Sequence, residues 1–223
     1  MDTSFFQFQH PFTTMVVGPT SSGKTYLVRR LLKNHKLTCN FNVDKIKIFW
    51  CYGQWQSLYN ENLENCDIEY IDGLPTFEEL KEKQPHLIVI DDLMTELGSN
   101  KELTKLFTKG SHHLNISILF IVQNLYAPGS QMITINRNTH YYLFLKNPKG
   151  DQLPTFARTN FQIKAKGFME AYRDATSKPF GYIKVDFTQK TPDKFRLQTR
   201  LTPEELPDNI KYYEFAPVYY ELK

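Results

Sequence analysis

The segment Gly18-Pro19-Thr20-Ser21-Ser22-Gly23-Lys24-Thr25 follows the pattern G-x-x-x-x-G-K-[ST], and it constrains the fold more than any other stretch of the 223 residues. The apolar run Met15-Val16-Val17 precedes it and Tyr26-Leu27-Val28-Arg29-Arg30-Leu31-Leu32 follows. Strand, glycine-bounded loop and helix in that order make a phosphate cradle. Gly18 and Gly23 allow the tight wrap, the loop's backbone N–H groups point inward, and the helix start at Gly23 adds the positive end of its dipole. Pro19, Thr20, Ser21 and Ser22 line the cradle and Tyr26 completes the binding set. Lys24 is expected to reach the β- and γ-phosphates, and the Thr25 hydroxyl to take a position on Mg²⁺. The motif points to a bound nucleoside triphosphate and is silent on what its hydrolysis would serve.

Further along, Leu87-Ile88-Val89-Ile90-Asp91-Asp92 is a continuous apolar run ending in two acids. Such a run reads as a central parallel strand, whose carboxyl end is where open α/β sheets hold ligands. Asp91 is therefore expected to hold Mg²⁺ through water, and Asp92 to orient the attacking water or accept its proton. Ser117-Ile118-Leu119-Phe120-Ile121-Val122 is another buried strand, ending in the polar pair Gln123-Asn124. Beside the acid-bearing strand, Gln123 lies within reach of a γ-phosphate. Arg137 stands just before the strand Tyr141–Leu145. A guanidinium supplied there across a subunit boundary would stabilise phosphoryl transfer, with Arg158, Arg173, Arg196 and Arg200 as rivals.

The remaining chain supplies scaffold. The aromatic opening Phe5-Phe6-Gln7-Phe8-Gln9-His10-Pro11-Phe12 reads as an arm packing on the core or a neighbour. Lys45–Cys51 and Ile68–Ile71 read as strands, and Thr76 with Glu79 forms a capping box that opens a helix over Phe77–Lys83. Helices are expected around Lys101–Lys109, Leu153–Thr159 and Lys166–Ala175. Gly181–Phe187 and Lys194–Arg200 alternate and read as a basic hairpin. With no repeat or low-complexity tract, the chain reads as one domain: an arm over 1–12, a nucleotide-binding core over 13–147, and a helical and basic β-hairpin extension over 148–223.

Hydrophobic residues at 41% and charged residues at 23% suit a soluble globular chain. The start lacks a basic and apolar leader, and no run of about eighteen apolar residues occurs, so a soluble intracellular protein without a membrane-spanning segment is expected. Cys39, Cys51 and Cys66 show no metal-like spacing and read as free or buried thiols. His112 and His113 lack a third ligand and read as loop hydrogen-bonding groups. Net charge is only +3, but Lys146 to Arg200 holds 12 Lys and Arg against 5 Asp and Glu. A basic third behind a near-neutral core suits a polyanion, with those lysines and arginines as candidate contacts; a solvated surface would look the same.

Taken together, these pieces resemble the FtsK–HerA superfamily of pumping ATPases. The chain is most similar to the genome-packaging ATPases of poxvirus-type large DNA viruses and the related Maverick/Polinton and adintovirus elements. The matching residues run from Pro11-Phe12 through the Gly18–Thr25 loop, Tyr52-Gly53-Gln54-Trp55-Gln56 with Tyr59, Gly73-Leu74-Pro75, Asp91-Asp92, Ser111-His112-His113, Gln123-Asn124, Arg137-Asn138, Lys146-Asn147-Pro148 and Gly181-Tyr182. The resemblance implies an α/β fold with a RecA-like P-loop core, a mostly parallel central sheet flanked by helices. It also implies a homo-oligomeric ring, a pentamer or hexamer, that hydrolyses ATP with Mg²⁺ and drives double-stranded DNA into a capsid, with a capsid or portal-vertex protein as partner. Gln123 would be the sensor and Arg137 the arginine finger in trans. The setting would be the host cell, nucleus or cytoplasm, and the virion. One departure is Asp92, where the wider superfamily often has Glu; the shorter side chain brings the water closer or only orients it.

Two other readings stay open. A P-loop kinase of a small molecule or nucleoside would carry an arginine-bearing lid, which Leu153–Arg173 could imitate. A nucleotide-gated capsid-assembly factor would bind ATP and turn it over slowly.

Overall fold

Six of the apolar segments align as parallel strands. The computed structural model describes residues 4–93, 101–127, 130–149, 152–205 and 217–222, with the backbone alone for Ser4, Lys101, Lys109, His112 and Ser130. Residues 1–3 of the arm, 206–216 near the acidic end, and the His112 side chain lie outside the described residues. The elements are β1 (Thr13–Val17), α1 (Lys24–Lys33), α2 (His35–Thr38), β2 (Ile46–Tyr52), β3 (Cys66–Asp72), α3 (Phe77–Lys83), β4 (Leu87–Asp91), α4 (Lys101–Lys105), α5 (Ser111–Leu114) and β5 (Ser117–Val122). There follow α6 (Ser130–Arg137), β6 (Tyr141–Leu145), α7 (Leu153–Phe161), α8 (Ala165–Ala175), β7 (Tyr182–Asp186), β8 (Leu197–Thr199) and β9 (Val218–Tyr220).

Among the described residues the strands form one sheet in the order β3-β2-β4-β5-β1-β6-β7-β8-β9. From β3 to β6 every pairing is parallel, and β7, β8 and β9 are each antiparallel to the strand before. The four central strands β4, β5, β1 and β6 are buried along their whole length. Helices on both faces explain why these strands read as unbroken apolar runs. Met15, Val17, Ile88, Ile90, Ile118 and Phe120 face a core shared with Leu80 of α3, Leu103 of α4, Ile135 of α6, Phe156 of α7 and Phe168 of α8. Val16, Val89, Leu119 and Ile121 face the other side, covered by Leu27, Val28, Leu31 and Leu32 of α1 and by Phe8 and Phe12 of the arm. The arm thus packs on the core. No helix among the described residues is long and apolar enough to cross a membrane.

Local signals are realised closely. The capping box forms, with Glu79 N–H donating to Thr76 Oγ1 at 3.2 Å and Thr76 N–H donating to Glu79 Oε2 at 2.7 Å. The helix expected over Lys101–Lys109 is α4 followed by a π-helical stretch, Leu106–Gly110, that runs directly into α5. Ser111-His112-His113 are therefore helical and not loop. The three cysteines are buried and free.

The hairpin read from the sequence as basic joins the main sheet. β7 and β8 pair as expected, yet both are buried throughout and continue the main sheet beyond β6. Lys184 is fully buried, which removes it from the cations that could meet a polyanion. Its Nζ donates to Phe6 O at 2.9 Å and lies 4.3 Å from the Phe8 ring centroid and 4.9 Å from that of Tyr141. A carbonyl and two aromatic faces replace water around the ammonium and fasten the arm to β7.

Burial lowers the Lys184 pKa from 10.5 to about 8, against the opposing pull of Asp186. Below about pH 8 folded and unfolded chains both hold the proton. Between there and 10.5 the folded chain releases it first, so this lysine makes stability rise with pH, by up to about 3 kcal/mol at 1.36 kcal/mol per unit. Lys184→Met should remove that rise. The wild-type Tm minus the variant Tm should increase between pH 8 and pH 10, and a difference that stays flat would contradict the buried-cation account.

Candidate nucleotide-binding site

The loop after β1 is built by local geometry. Gly18 N–H donates to Val122 O at 3.2 Å, anchoring the loop between β1 and β5. A Cβ at Gly18 would stand 2.7 Å from Ser22 Oγ and 3.1 Å from Leu145 Cβ, and Gly23 has φ +90°, so neither position accommodates a larger residue without strain. α1 then starts at Lys24, where the first-turn N–H groups lack intrahelical acceptors and no side chain caps them. Lys24 Nζ bends across the loop to donate to Gly18 O at 2.9 Å and Pro19 O at 2.8 Å. Burial pushes its pKa down, opposed by Asp91 and Asp92.

The acids arrive at the same end of the sheet. Asp91, the last residue of β4, is 3% exposed, and its Oδ2 accepts from Thr25 Oγ1 and from Tyr59 Oη, each at 2.9 Å. Burial raises its pKa, the two hydrogen bonds hold it down, and Asp92 pushes it up again. Asp92 follows in the left-handed region at φ +56° and is exposed. Gln123 leaves β5 one strand away, and its Oε1 accepts from Thr20 Oγ1 at 3.1 Å. Loop, acid pair and polar strand end therefore converge.

A hydroxyl and a carboxylate oxygen 2.9 Å apart offer two hard ligands and leave further positions for phosphate oxygens and water, which fits Mg²⁺. Among the described residues no group of three or more His, Cys, Asp and Glu could hold a metal by itself.

Arg137 is not brought to this cluster. It is exposed at the end of α6, and the residues after it are pinned to the first residue of β1: Thr13 Oγ1 donates to Asn138 O, and His140 N–H donates to Thr13 O at 3.0 Å. The cradle lies beyond the other end of β1, roughly 13 Å of strand away at about 3.3 Å per residue. Arg137 cannot complete the site of its own chain.

One contributor was a matching residue in the sequence but carried no role there. Tyr59 is buried, its ring stacked on Tyr70 at 5.2 Å between centroids and packed near Trp50, Tyr52 and Trp55. The buried Arg29 joins this nest through Tyr70, donating to its Oη at 3.1 Å, and also donates to Glu61 O at 2.5 Å. The aromatic residues at 50, 52, 55, 59 and 70 lie on two strands and the connection between them, so no single period flags Tyr59. Tyr59→Phe keeps the nest but removes a donor from a buried carboxylate. It should lower stability by about 1.5–3 kcal/mol, the usual worth of a hydrogen bond to a charged group, measured by urea unfolding at pH 7. A loss below about 0.5 kcal/mol would show that Asp91 does not depend on it.

No family model matches the chain, and no curated protein matches it closely. Solved structures do resemble it. The DNA-packaging ATPase B204 of Sulfolobus turreted icosahedral virus superposes with a TM-score of 0.53 at 15% identity, covering 80% of this chain and 94% of that one. The genome-packaging NTPase B204 of Sulfolobus turreted icosahedral virus 2 superposes with 0.52 at 12% identity in its AMPPCP complex, covering 79% and 92%. Its AMP complex superposes with 0.51 at 14% identity, covering 78% and 92%. At such identities the likeness is one of architecture: the chain has the α/β P-loop NTPase fold of these packaging enzymes, a mostly parallel sheet flanked by helices.

Proposed function

We propose that this chain is an ATPase that assembles head to tail into a ring and moves double-stranded DNA, packaging a viral or virus-like genome. The observation that carries the reading is the meeting of Thr25 with Asp91 and of Thr20 with Gln123 at one end of the sheet. The fold shared with viral packaging NTPases, one of them solved with AMP and with an ATP analogue, supports it.

In this reading the loop N–H groups and Lys24 bind the β- and γ-phosphates of ATP. Thr25 and Asp91 would hold Mg²⁺, which when bound neutralises phosphate charge. Asp92 orients a water in line with the γ-phosphorus and accepts its proton as the new P–O bond forms. The bond to the bridging oxygen breaks, and ADP carries away that electron pair. Gln123, held against Thr20, contacts the γ-phosphate and registers its loss. Arg137, exposed at the opposite end of the strands, serves the site of the neighbouring copy. A heterologous interface of that kind closes into a ring.

The lid that a small-molecule kinase would need has weak support. Phe156 of α7 is 2% exposed and Phe168 of α8 is fully buried, so Leu153–Arg173 is part of the core. What this segment does present is a cationic turn. Arg158, Lys164 and Lys166 are exposed around the α7–α8 connection, where Ile163 is 96% exposed. These cations would grip DNA phosphates without reading sequence.

ATP turnover should rise when duplex DNA is added. A rate that stays slow and indifferent to DNA would favour the assembly-factor reading, and dependence on a small acceptor would favour a kinase. Lys24→Ala should abolish turnover, whereas Asp92→Asn should bind ATP and fail to hydrolyse it. Lys24→Ala and Arg137→Ala should each be inactive alone, yet mixing them should restore part of the turnover, because an intact cradle then meets an intact arginine. No recovery would remove the trans role of Arg137. The double substitution Lys164→Ala, Lys166→Ala should leave DNA-free turnover unchanged and flatten the salt dependence of DNA binding by about two units of log–log slope.

A further inference from the structure

A cavity of about 860 Å³ adjoins the phosphate loop. Gly23, Tyr26, Leu27 and Arg30 at the start of α1 line one side, and Phe180, Gly181, Tyr182 and Thr199 from the α8–β7 turn and β7–β8 line the other. Its volume falls within the range of small-molecule sites.

We infer that this cavity takes the nucleoside half of the bound triphosphate, with the base against the rings of Phe180 and Tyr26; this rests on the ATP-binding reading above. Sheet order sets the direction. β1 lies between β5 and β6. Asp91 and Gln123, the groups for the γ end, are on the β5 side of the loop, whereas Tyr182 and Thr199 are beyond β6. A triphosphate seated in the cradle with its γ end at the acids sends its ribose toward the cavity.

The walls favour stacking. Tyr26 is 60% exposed and Phe180 67%, although both are large aromatic residues beside a cavity. Phe180 holds φ +60°, a conformation uncommon for a bulky residue, and its ring lies against Gly23, where an added Cβ would stand 3.1 Å from Phe180 Cδ1. Gly181 then makes the turn: a Cβ there would come within 2.5 Å of Ala175 O. Several polar wall groups are already engaged. Arg30 pairs with Glu205 at 3.1 Å, Tyr182 Oη donates to Glu205 Oε2 at 2.8 Å, and Thr199 Oγ1 donates to Tyr182 O at 2.6 Å. Asp174, Lys178, Arg200 and Glu204 also line the cavity, and the exposed rings of Tyr26 and Phe180 stand among them beside the phosphate loop.

Calorimetric titration of wild type, Phe180→Ala, Phe180→Trp and Lys24→Ala with ATP and with inorganic tripolyphosphate tests this. Phe180→Ala should weaken ATP by roughly 5- to 150-fold, the range expected for loss of base–aromatic stacking. It should leave tripolyphosphate within about twofold, and Phe180→Trp should restore ATP affinity, which a merely structural role would not do. Lys24→Ala should weaken both ligands. Wild-type ATP affinity unchanged in Phe180→Ala, or an equal loss of ATP and tripolyphosphate, overturns the nucleoside cavity alone. A wild type that binds neither ligand overturns the ATP reading and this inference with it.

Discussion

A single hydrogen bond, Thr25 Oγ1 to Asp91 Oδ2, joins residues 66 positions apart, and it exists only because of strand register. Asp91 pairs with Ile121 on β5, and Ile121 pairs with Val16 on β1. The carboxylate therefore stands level with the strand residue two places before Gly18, directly beneath the loop. Side chains alternate between faces, so a slip of one residue would send Asp91 to the opposite face of the sheet. The unbroken apolar runs of β1, β4 and β5 resist such a slip, because alternate residues are committed to two different cores.

Holding a carboxylate in that position has a cost that the surrounding residues offset. Asp91 is withdrawn from water, and desolvation raises its pKa. Hydroxyl donors from α1 and from the connection after β2 converge on one of its oxygens, with Lys24 supplying charge from the cradle. The aromatic nest around Tyr59 keeps the second donor aimed, and Trp55 carries that nest out to the surface at 48% exposure. The acid end of the site is thus fixed by hydrogen bonds within the chain.

Much of this was legible in the sequence where local rules decide. Thr76 with Glu79, the glycines at 18 and 23, and the apolar strands ending in Asp91 and Gln123 each carry their own short-range reason. What stayed hidden depends on distant partners. Lys184 counts as a surface charge in any pattern, yet it is buried with the carbonyl of Phe6, 178 residues away, accepting its hydrogen bond. Arg29 interrupts the apolar face of α1 and donates to Tyr70 and the Glu61 carbonyl. The helical state of Ser111-His112-His113 arises because the π-helical stretch after α4 carries the helix across Gly110. Arg137 was legible as an arginine before a strand, but its distance from the cradle follows from strand direction, which no local pattern encodes.

Strand direction also explains why the α8–β7 turn stands at the phosphate-loop end of the sheet. Were β7 parallel to β6, the chain would enter it at the Tyr141 end, alongside Arg137 and away from the loop. Instead Tyr182 pairs with Leu145 and Asp186 with Tyr141, so β7 starts where β6 finishes. The Phe180-Gly181 turn, one step upstream, is delivered to the side of the sheet where the cradle opens, and Gly18 itself packs against Leu145. The reversal at β7 also orients β8, whose last residue, Thr199, returns to the same end and faces the same cavity. The hairpin strands, whose sequence reads as basic, are thereby committed to the sheet and to the wall of the cavity beside the phosphate loop. Lys184 is buried, whereas Lys190, Lys194 and Arg200 around the hairpin stay exposed, as do Arg158, Lys164 and Lys166 on the helices before it.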